Sequence, residues 1–315
     1  MNEEILRWVQ LLVGLIILIV GGDILVRSAS KLAVYLKVSS LVIGLTVVSF
    51  GTSFPELVVS VNAALDGHAD ISLGNVVGSN IANIALVLGL TALIFPLAVS
   101  RATIIKDWPL LLIISSLLLV FCWDLEISRI EGAFLFLGIV AYNVIVIRTS
   151  RKDESQIEEI DTGYQKGKTD LLRTSILLSI SLGALIWGAD LLVDGAVGVA
   201  RAFNIQERVI AITIIAFGTS APELATSLIA VYRKESGISL GNLIGSNIFN
   251  ILGILGVTSL LRPISVNPEI KTFDLLFMIG IPLFIFPFLV LRQKLTRLEG
   301  GMLLFVYLLY IFLLF

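Results

Sequence analysis

The stretch Gly51-Thr52-Ser53-Phe54-Pro55-Glu56-Leu57 returns 167 residues later as Gly218-Thr219-Ser220-Ala221-Pro222-Glu223-Leu224. At the same offset Ile71-Ser72-Leu73-Gly74-Asn75 returns as Ile238-Ser239-Leu240-Gly241-Asn242, and Gly78-Ser79-Asn80-Ile81 as Gly245-Ser246-Asn247-Ile248. No gap is needed over about fifty positions, about half of them identical, and the offset also pairs Asp23 with Asp190. A chain that repeats itself in this way is expected to fold as two similar halves related by pseudosymmetry.

Composition decides what surrounds those halves. Of 315 residues, 57% are hydrophobic and 15% charged, with a mean hydropathy of +0.99. A soluble domain carries about 25% charged residues. This balance excludes a disordered chain, a nucleic-acid-binding protein and an ordinary cytosolic enzyme. The matching solvent is a lipid bilayer, whose core asks for about 20 apolar residues per crossing helix. Ten segments meet that demand: 5–26, 41–65, 71–97, 107–123, 130–147, 174–193, 209–232, 238–261, 273–291 and 300–315. The first reads as a retained span rather than a cleaved signal peptide. The polar stretch Arg148 to Arg173 reads as a plain linker, without the spacing of a calcium-binding EF-hand.

The expected fold class is therefore all-α integral membrane. Ten transmembrane helices form two five-helix repeats, 1–147 and 174–315, joined by a polar cytoplasmic linker, 148–173. Five spans separate equivalent positions. Because five is odd, the second half enters the membrane from the opposite side, an inverted repeat of the kind found in secondary transporters. With the N-terminus placed outside, sixteen of the 22 Lys and Arg residues fall on the inner side. The positive-inside rule then puts both termini on the extracellular side.

Charges within spans are rare and usually functional. Glu56 and Glu223 each fall near the middle of a span, immediately after a proline. Pro55 and Pro222 lack an N–H, so the carbonyls of Gly51 and Gly218 lose their helical partners. Broken backbone at membrane depth is tolerated only where protein or a polar cavity surrounds it. The side chains add further oxygens. Ser49, Thr52, Ser53, Glu56 and Ser60 recur at spacings of three to four, as do Thr219, Ser220, Glu223, Thr226 and Ser227. Asn75, Ser79 and Asn83 share a face of the next span, and Asn242, Ser246 and Asn250 repeat it. The pairs Gly74/Gly78 and Gly241/Gly245 suit close helix contact.

Brought together, these groups make an all-oxygen site of the kind hard cations take, calcium with about 6–8 ligands. Soft metals would want sulfur or imidazole, and the chain has one cysteine, Cys122, and one histidine, His68. Two negative charges balance one divalent ion or two monovalent ones, which is the charge arithmetic of exchange.

At these motifs the sequence resembles the sodium/calcium exchanger branch of the cation/calcium antiporter superfamily, in its compact prokaryotic form. The two Gly-Thr-Ser-x-Pro-Glu and two Gly-Asn-x-x-Gly-Ser-Asn motifs are similar to the alpha repeats of that family. The resemblance implies a central calcium held by Glu56 and Glu223 with the backbone carbonyls of Thr52 and Thr219. It implies sodium sites on either side. One would use Ser53, Ser79 and the backbone of Ser49; the other, Ser220, Ser246 and the backbone of Ala216. Asn83 and Asn250 would complete the middle. Some relatives, the potassium-dependent branch among them, carry Asp at the position of Asn250, so its amide argues against potassium dependence. The resemblance also implies that the first and sixth spans slide against the other eight.

The function expected is sodium/calcium antiport by alternating access at a midplane site. The chain would act as a monomer in the cell membrane, with no prosthetic group and no nucleic-acid partner. Calcium/proton antiport is the alternative and a cation channel a remoter one. An intramembrane hydrolase using Ser53 or Ser220 lacks a base, the only His lying in a loop, so no enzyme is expected. Among other polar groups, Asn80 and Asn247 point away from the stripes and read as glue between helices. Asp23 and Asp190 read as interfacial or packing partners, His68 as solvated, Cys122 as a small buried hydrophobe, and the aromatics of the last span as lipid-facing.

Overall fold

A computed structural model describes residues 3–150, 168–203, 205 and 216–314. Apart from four two-residue strands the described elements are helical. In the first half, α1 is Glu3–Leu36, α2 Ser40–Thr52, α3 Phe54–Leu65, α4 Ala69–Ile94, α5 Thr103–Phe121 and α6 Arg129–Ser150. In the second, α7 is Lys168–Ala202, α8 Ala216–Thr219, α9 Ala221–Tyr232, α10 Ser236–Leu261, α11 Ile270–Arg292 and α12 Arg297–Leu313. Among the described residues, seven helices are long and apolar enough to cross a membrane, or eight if the bent pair α2 and α3 counts as one span. Apolar side chains that a soluble protein would bury stand outward, among them Ile130, Leu291 and Phe312, as lipid-facing helices require.

Helix boundaries follow the sequence offset. α3 and α9 begin and end 167 residues apart, and so do α4 and α10. The strands continue the pattern. Leu97–Ala98 (β1) and Ile264–Ser265 (β3) stand at the same offset, while Glu126–Ile127 (β2) and Lys294–Leu295 (β4) are one residue further apart. β1 pairs antiparallel with β4, and β2 with β3, so each half supplies a strand to both pairs. The duplication therefore extends well beyond the positions where residue identity reveals it.

Two boundaries differ from expectation. α1 runs to Leu36 instead of ending near 26, and α7 spans 168–202 instead of 174–193. At 34 and 35 residues and about 1.5 Å per residue, each is about 50 Å long, against about 30 Å of hydrocarbon. For α1 the reason is pairing. Asp23 bonds Arg27 on its own helix at 2.9 Å and Arg233 at the end of α9, while Ser30 donates to Glu235 at 2.8 Å. The polar residues that looked like a loop instead continue the helix along the turn between α9 and α10. The packing role expected of Asp23 is thus met. Its mate Asp190 is exposed, and Asp194 takes the place equivalent to Arg27.

α1 and α7 pack against one another along most of their lengths. A Cβ on Gly14 would stand 2.7 Å from the Gly188 carbonyl, and one on Gly195 would stand 2.8 Å from the Arg7 carbonyl. Partners thus run in opposite directions, so these two equivalent helices lie side by side and antiparallel. The remaining helices interleave: α10 seats on α2, α6 on α10 and α12 on α4. Most of the buried apolar side chains form one core within these helices, and a second core lies where α1 and α7 meet them.

Smaller expectations divide. Cys122 is free and buried, and His68 is exposed. Phe305 and Phe312 of α12 face outward, but Tyr310 is buried, donates to Asp274 at 2.8 Å and stacks on Phe273. A phenol hydroxyl with a carboxylate partner is better placed inside than in lipid. Within the expected linker, residues 151–167 lie outside the described residues, as does the start of the seventh expected span, 209–215.

Candidate functional site

Two breaks in helix position the site. Pro55 cannot continue the helix that ends at Thr52, so the backbone leaves helical geometry at Ser53, with φ −86° and ψ 7°. It restarts as α3, bent by 45° from α2, with the proline in the first turn, where a missing N–H does no harm. Ser220 repeats the break with φ −90° and ψ 2°, and Pro222 stands in the first turn of α9. The serine carbonyl accepts the next helix's first bond in both, at 3.2 Å for Ser53 and 3.0 Å for Ser220. Glu56 and Glu223 are thereby each held in the first turn of a helix, where the backbone dipole favours negative charge. α2 and α8 each end at the residue before such a break, and the C-terminal end of a half-helix suits a cation.

Both carboxylates are buried, Glu56 at 2% and Glu223 at 1% exposure. No ion pair among the described residues includes either. A buried charge without a partner is strongly unfavourable, so a site built this way calls for a cation from outside the chain.

Around them the two halves meet through side chains. Ser53 Oγ donates to Glu223 Oε1 at 3.4 Å. Thr52 Oγ1 donates to Asn242 Oδ1 at 3.0 Å and lies 3.5 Å from Ser246 Oγ. Asn75 Nδ2 donates to the Glu56 carbonyl at 3.2 Å and to Ser60 Oγ at 3.0 Å, which steadies the first turn of α3. Ser49 Oγ donates back to the Leu45 carbonyl at 2.9 Å. Ser49, Thr52, Ser53, Ser79, Asn83, Ser220, Ser246 and Asn250 are all buried, Thr219 is half-buried, and Ala216 opens α8. Several oxygens here have no hydrogen-bond partner among the described residues: Glu56 Oε2, Glu223 Oε2, Asn83 Oδ1, Asn250 Oδ1 and Ser220 Oγ. Buried polar atoms are almost always satisfied, so five orphaned oxygens among the residues expected to form the site are what a dehydrated cation would complete.

No cluster of three or more His, Cys, Asp or Glu that could hold a metal forms among the described residues. The donor set is two carboxylates and neutral oxygens, the set suited to hard cations.

Glycine brings the second half to this point. A Cβ on Gly245 would stand 2.6 Å from both the Leu45 carbonyl and Ser49 Oγ, and one on Gly241 would stand 2.8 Å from Leu45 N. The small residues of α10 thus let its backbone lie directly against α2, as expected of this pair. The mate Gly74 has Ile270 Cδ1 at 3.9 Å as its nearest described neighbour.

Sequence reasoning missed two features. Asn83 lies in a π-helical stretch, Ala82–Leu88, and Asn250 opens another, Asn250–Ile254. A wider turn re-aims side chains and frees backbone groups, and such turns cluster at functional sites. The second is Asn80. It does bond between halves, its Nδ2 donating to the Asn247 carbonyl at 3.3 Å, but it does not point away from the site group, because Asn250 Nδ2 donates to its Oδ1 at 3.0 Å. The strict helical period that set Asn80 apart from Asn83 fails where the helix widens. The doubled Gly-Ser-Asn was the available signal.

The family model described as sodium/calcium exchanger protein matches residues 6–148 and 174–315. The sodium/calcium exchanger MaX1 of Methanosarcina acetivorans is 33% identical over 347 residues, covering 97% of each chain. The inner membrane protein YrbG of Escherichia coli is 37% identical, covering 82% of this chain and 81% of its own. Among solved structures, the sodium–calcium exchanger NCX_Mj superposes with a TM-score of 0.85 at 34% identity, over 99% of both chains.

Proposed function

The chain belongs to the sodium/calcium exchanger family, and from that premise we propose that it exchanges sodium for calcium across a membrane by alternating access at the site between α2–α3 and α8–α9. The observation that carries this reading is the pair Glu56 and Glu223, both buried, each with one carboxylate oxygen lacking a hydrogen-bond partner, and neither in an ion pair among the described residues. Two carboxylates match the charge of one calcium ion, or of two sodium ions that replace it.

In this reading Glu56, Glu223 and the carbonyls of Thr52 and Thr219 hold calcium. Ser53, Ser79 and the Ser49 carbonyl hold sodium in one half, and Ser220, Ser246 and the Ala216 carbonyl hold it in the other, with Asn83 and Asn250 between them. The architecture is ten spans in two inverted five-helix repeats, 1–147 and 174–315, with 148–173 as a cytoplasmic linker. Support comes from the seven or eight described spans, from the repeat of helix boundaries, and from the antiparallel packing of equivalent helices α1 and α7. The 17-residue α12 and the partly described segment leading into α8 and α9 supply the last two spans. Both termini lie on the extracellular side, in keeping with the Lys and Arg bias, and one chain suffices for transport. The α1–α7 pair moves against the other helices as access alternates.

The test is isotopic calcium flux in proteoliposomes with sodium, potassium and proton gradients imposed one at a time. Calcium movement driven by sodium alone is expected. Movement driven by a pH gradient without sodium would replace this reading with calcium/proton antiport, and calcium conduction needing no counter-ion would replace it with a channel.

A further inference from the structure

An asparagine can serve a cation only through its carbonyl oxygen. Its amide group is nearly the same shape reversed, and reversal would aim two N–H donors at positive charge. Asn250 is 1% exposed, and its Oδ1 has no hydrogen-bond partner among the described residues. Its Nδ2 is occupied, donating to Asn80 Oδ1 at 3.0 Å. Asn80 is itself oriented, because its Nδ2 donates to the Asn247 carbonyl at 3.3 Å and lies 3.7 Å from Met278 Sδ. A backbone carbonyl can only accept, so Asn80 must turn its NH₂ toward Asn247. Its oxygen then faces Asn250, and Asn250 must answer with its own NH₂. Each amide orientation follows from the one before, starting at a backbone carbonyl that cannot flip.

We propose that Asn80 is a positioning residue for cation binding, which holds the Asn250 amide with its carbonyl oxygen free for the ion. The inference rests on the reading of Asn250 as part of the cation site. The stretch that Asn250 opens packs against α3, the helix that carries Glu56. The arrangement is also asymmetric. Asn247, the mate of Asn80, turns its Nδ2 to the Leu243 carbonyl of its own helix at 2.7 Å, and among the described residues no bond from Asn83 to Asn247 matches the one from Asn250 to Asn80. A partner that orients a ligand without touching the ion is typically worth about 10- to 100-fold in affinity.

The experiment is a double-mutant cycle on calcium transport and on calcium binding to the purified protein. Asn80→Ala is expected to raise the apparent KM for calcium by about tenfold while the maximal rate holds near wild type. In an Asn250→Asp background the same substitution should shift KM by less than about twofold, because a carboxylate presents oxygen at both ends and needs no orienting. A purely structural Asn80 would shift KM equally in both backgrounds, which would overturn the proposal, as would an unchanged KM in the single variant. If Asn80→Ala does not fold, Asn80→Ser, too short to span Asn247 and Asn250, replaces it with the same expectation. A wild-type protein that neither binds calcium nor couples it to sodium would instead overturn the exchange reading itself, so the two failures are distinguishable.

Discussion

Ser53 and Glu223 stand 170 residues apart in sequence and are joined by a hydrogen bond of 3.4 Å, from the serine hydroxyl of one half to the carboxylate of the other. Each belongs to a break in helix, and the bond ties the two breaks together. Neither half therefore contains a complete site.

The hydroxyl's share of that site can be measured. Ser53→Ala removes a donor to Glu223 and, in the assignment proposed above, a sodium ligand. Half-saturation by sodium should rise by about tenfold, or about 1.4 kcal/mol, near the low end of the roughly 1.5–3 kcal/mol for a hydrogen bond to a charged group. The calcium KM should move less. Sodium-activation curves of calcium flux read both values.

Glu56→Gln and Glu223→Gln keep shape and remove charge. Either should abolish sodium-driven calcium flux in proteoliposomes. Thermal unfolding separates this loss from misfolding. Calcium at 100 times its dissociation constant stabilises wild type by about 2.7 kcal/mol, and that gain should vanish in both variants. In cation-free buffer they should melt no lower than wild type, since an unpaired buried charge has been removed.

Gly245→Ala tests the contact that seats α10 on α2. Its new Cβ would meet the Leu45 carbonyl and Ser49 Oγ at 2.6 Å. Overpacking of this kind costs about 1–3 kcal/mol, and here it presses on a serine whose carbonyl is an expected sodium ligand. Lower stability and reduced sodium affinity are expected together. Gly280→Ala, with nothing within 4 Å of its Cβ among the described residues, should leave both near wild type.

Within the second half of α1, Asp23 is shared by Arg27 and Arg233. These groups are partly exposed, so the tie is worth about 1 kcal/mol or less. Arg233→Gln should raise hydrogen exchange across residues 23–36 while α10 keeps its protection. Asp23→Asn should do the same, and the double variant should add little, because both remove one interaction. Full additivity of the two would show that the residues act separately.

Much of this was legible from residue order. Pro55 and Pro222 announce where helices must stop, and Glu56 and Glu223 follow them by one residue, so the breaks and their charges could be placed at once. The close seat of α10 was visible in Gly241 and Gly245. What escaped depends on geometry that a fixed period of 3.6 residues does not carry. The π-helical turns shift Asn83 and Asn250, which is why Asn80 was set among packing residues. The length of α1 escaped because Asp23, Arg27 and Ser30 look like a loop until their partners, Arg233 and Glu235, are brought near by folding. Tyr310 looked like one more lipid-facing aromatic because its partner Asp274 is 36 residues away.

The crossed strands carry a consequence for how the molecule is assembled. Leu97 of the first half is clasped by Leu295 of the second, and Ile127 of the first by Ile264 of the second. Each half thus closes an edge that the other leaves open. Two fragments made by severing the chain between Ser150 and Lys168 are expected to associate through these strands and the interleaved helices, which their co-purification would check.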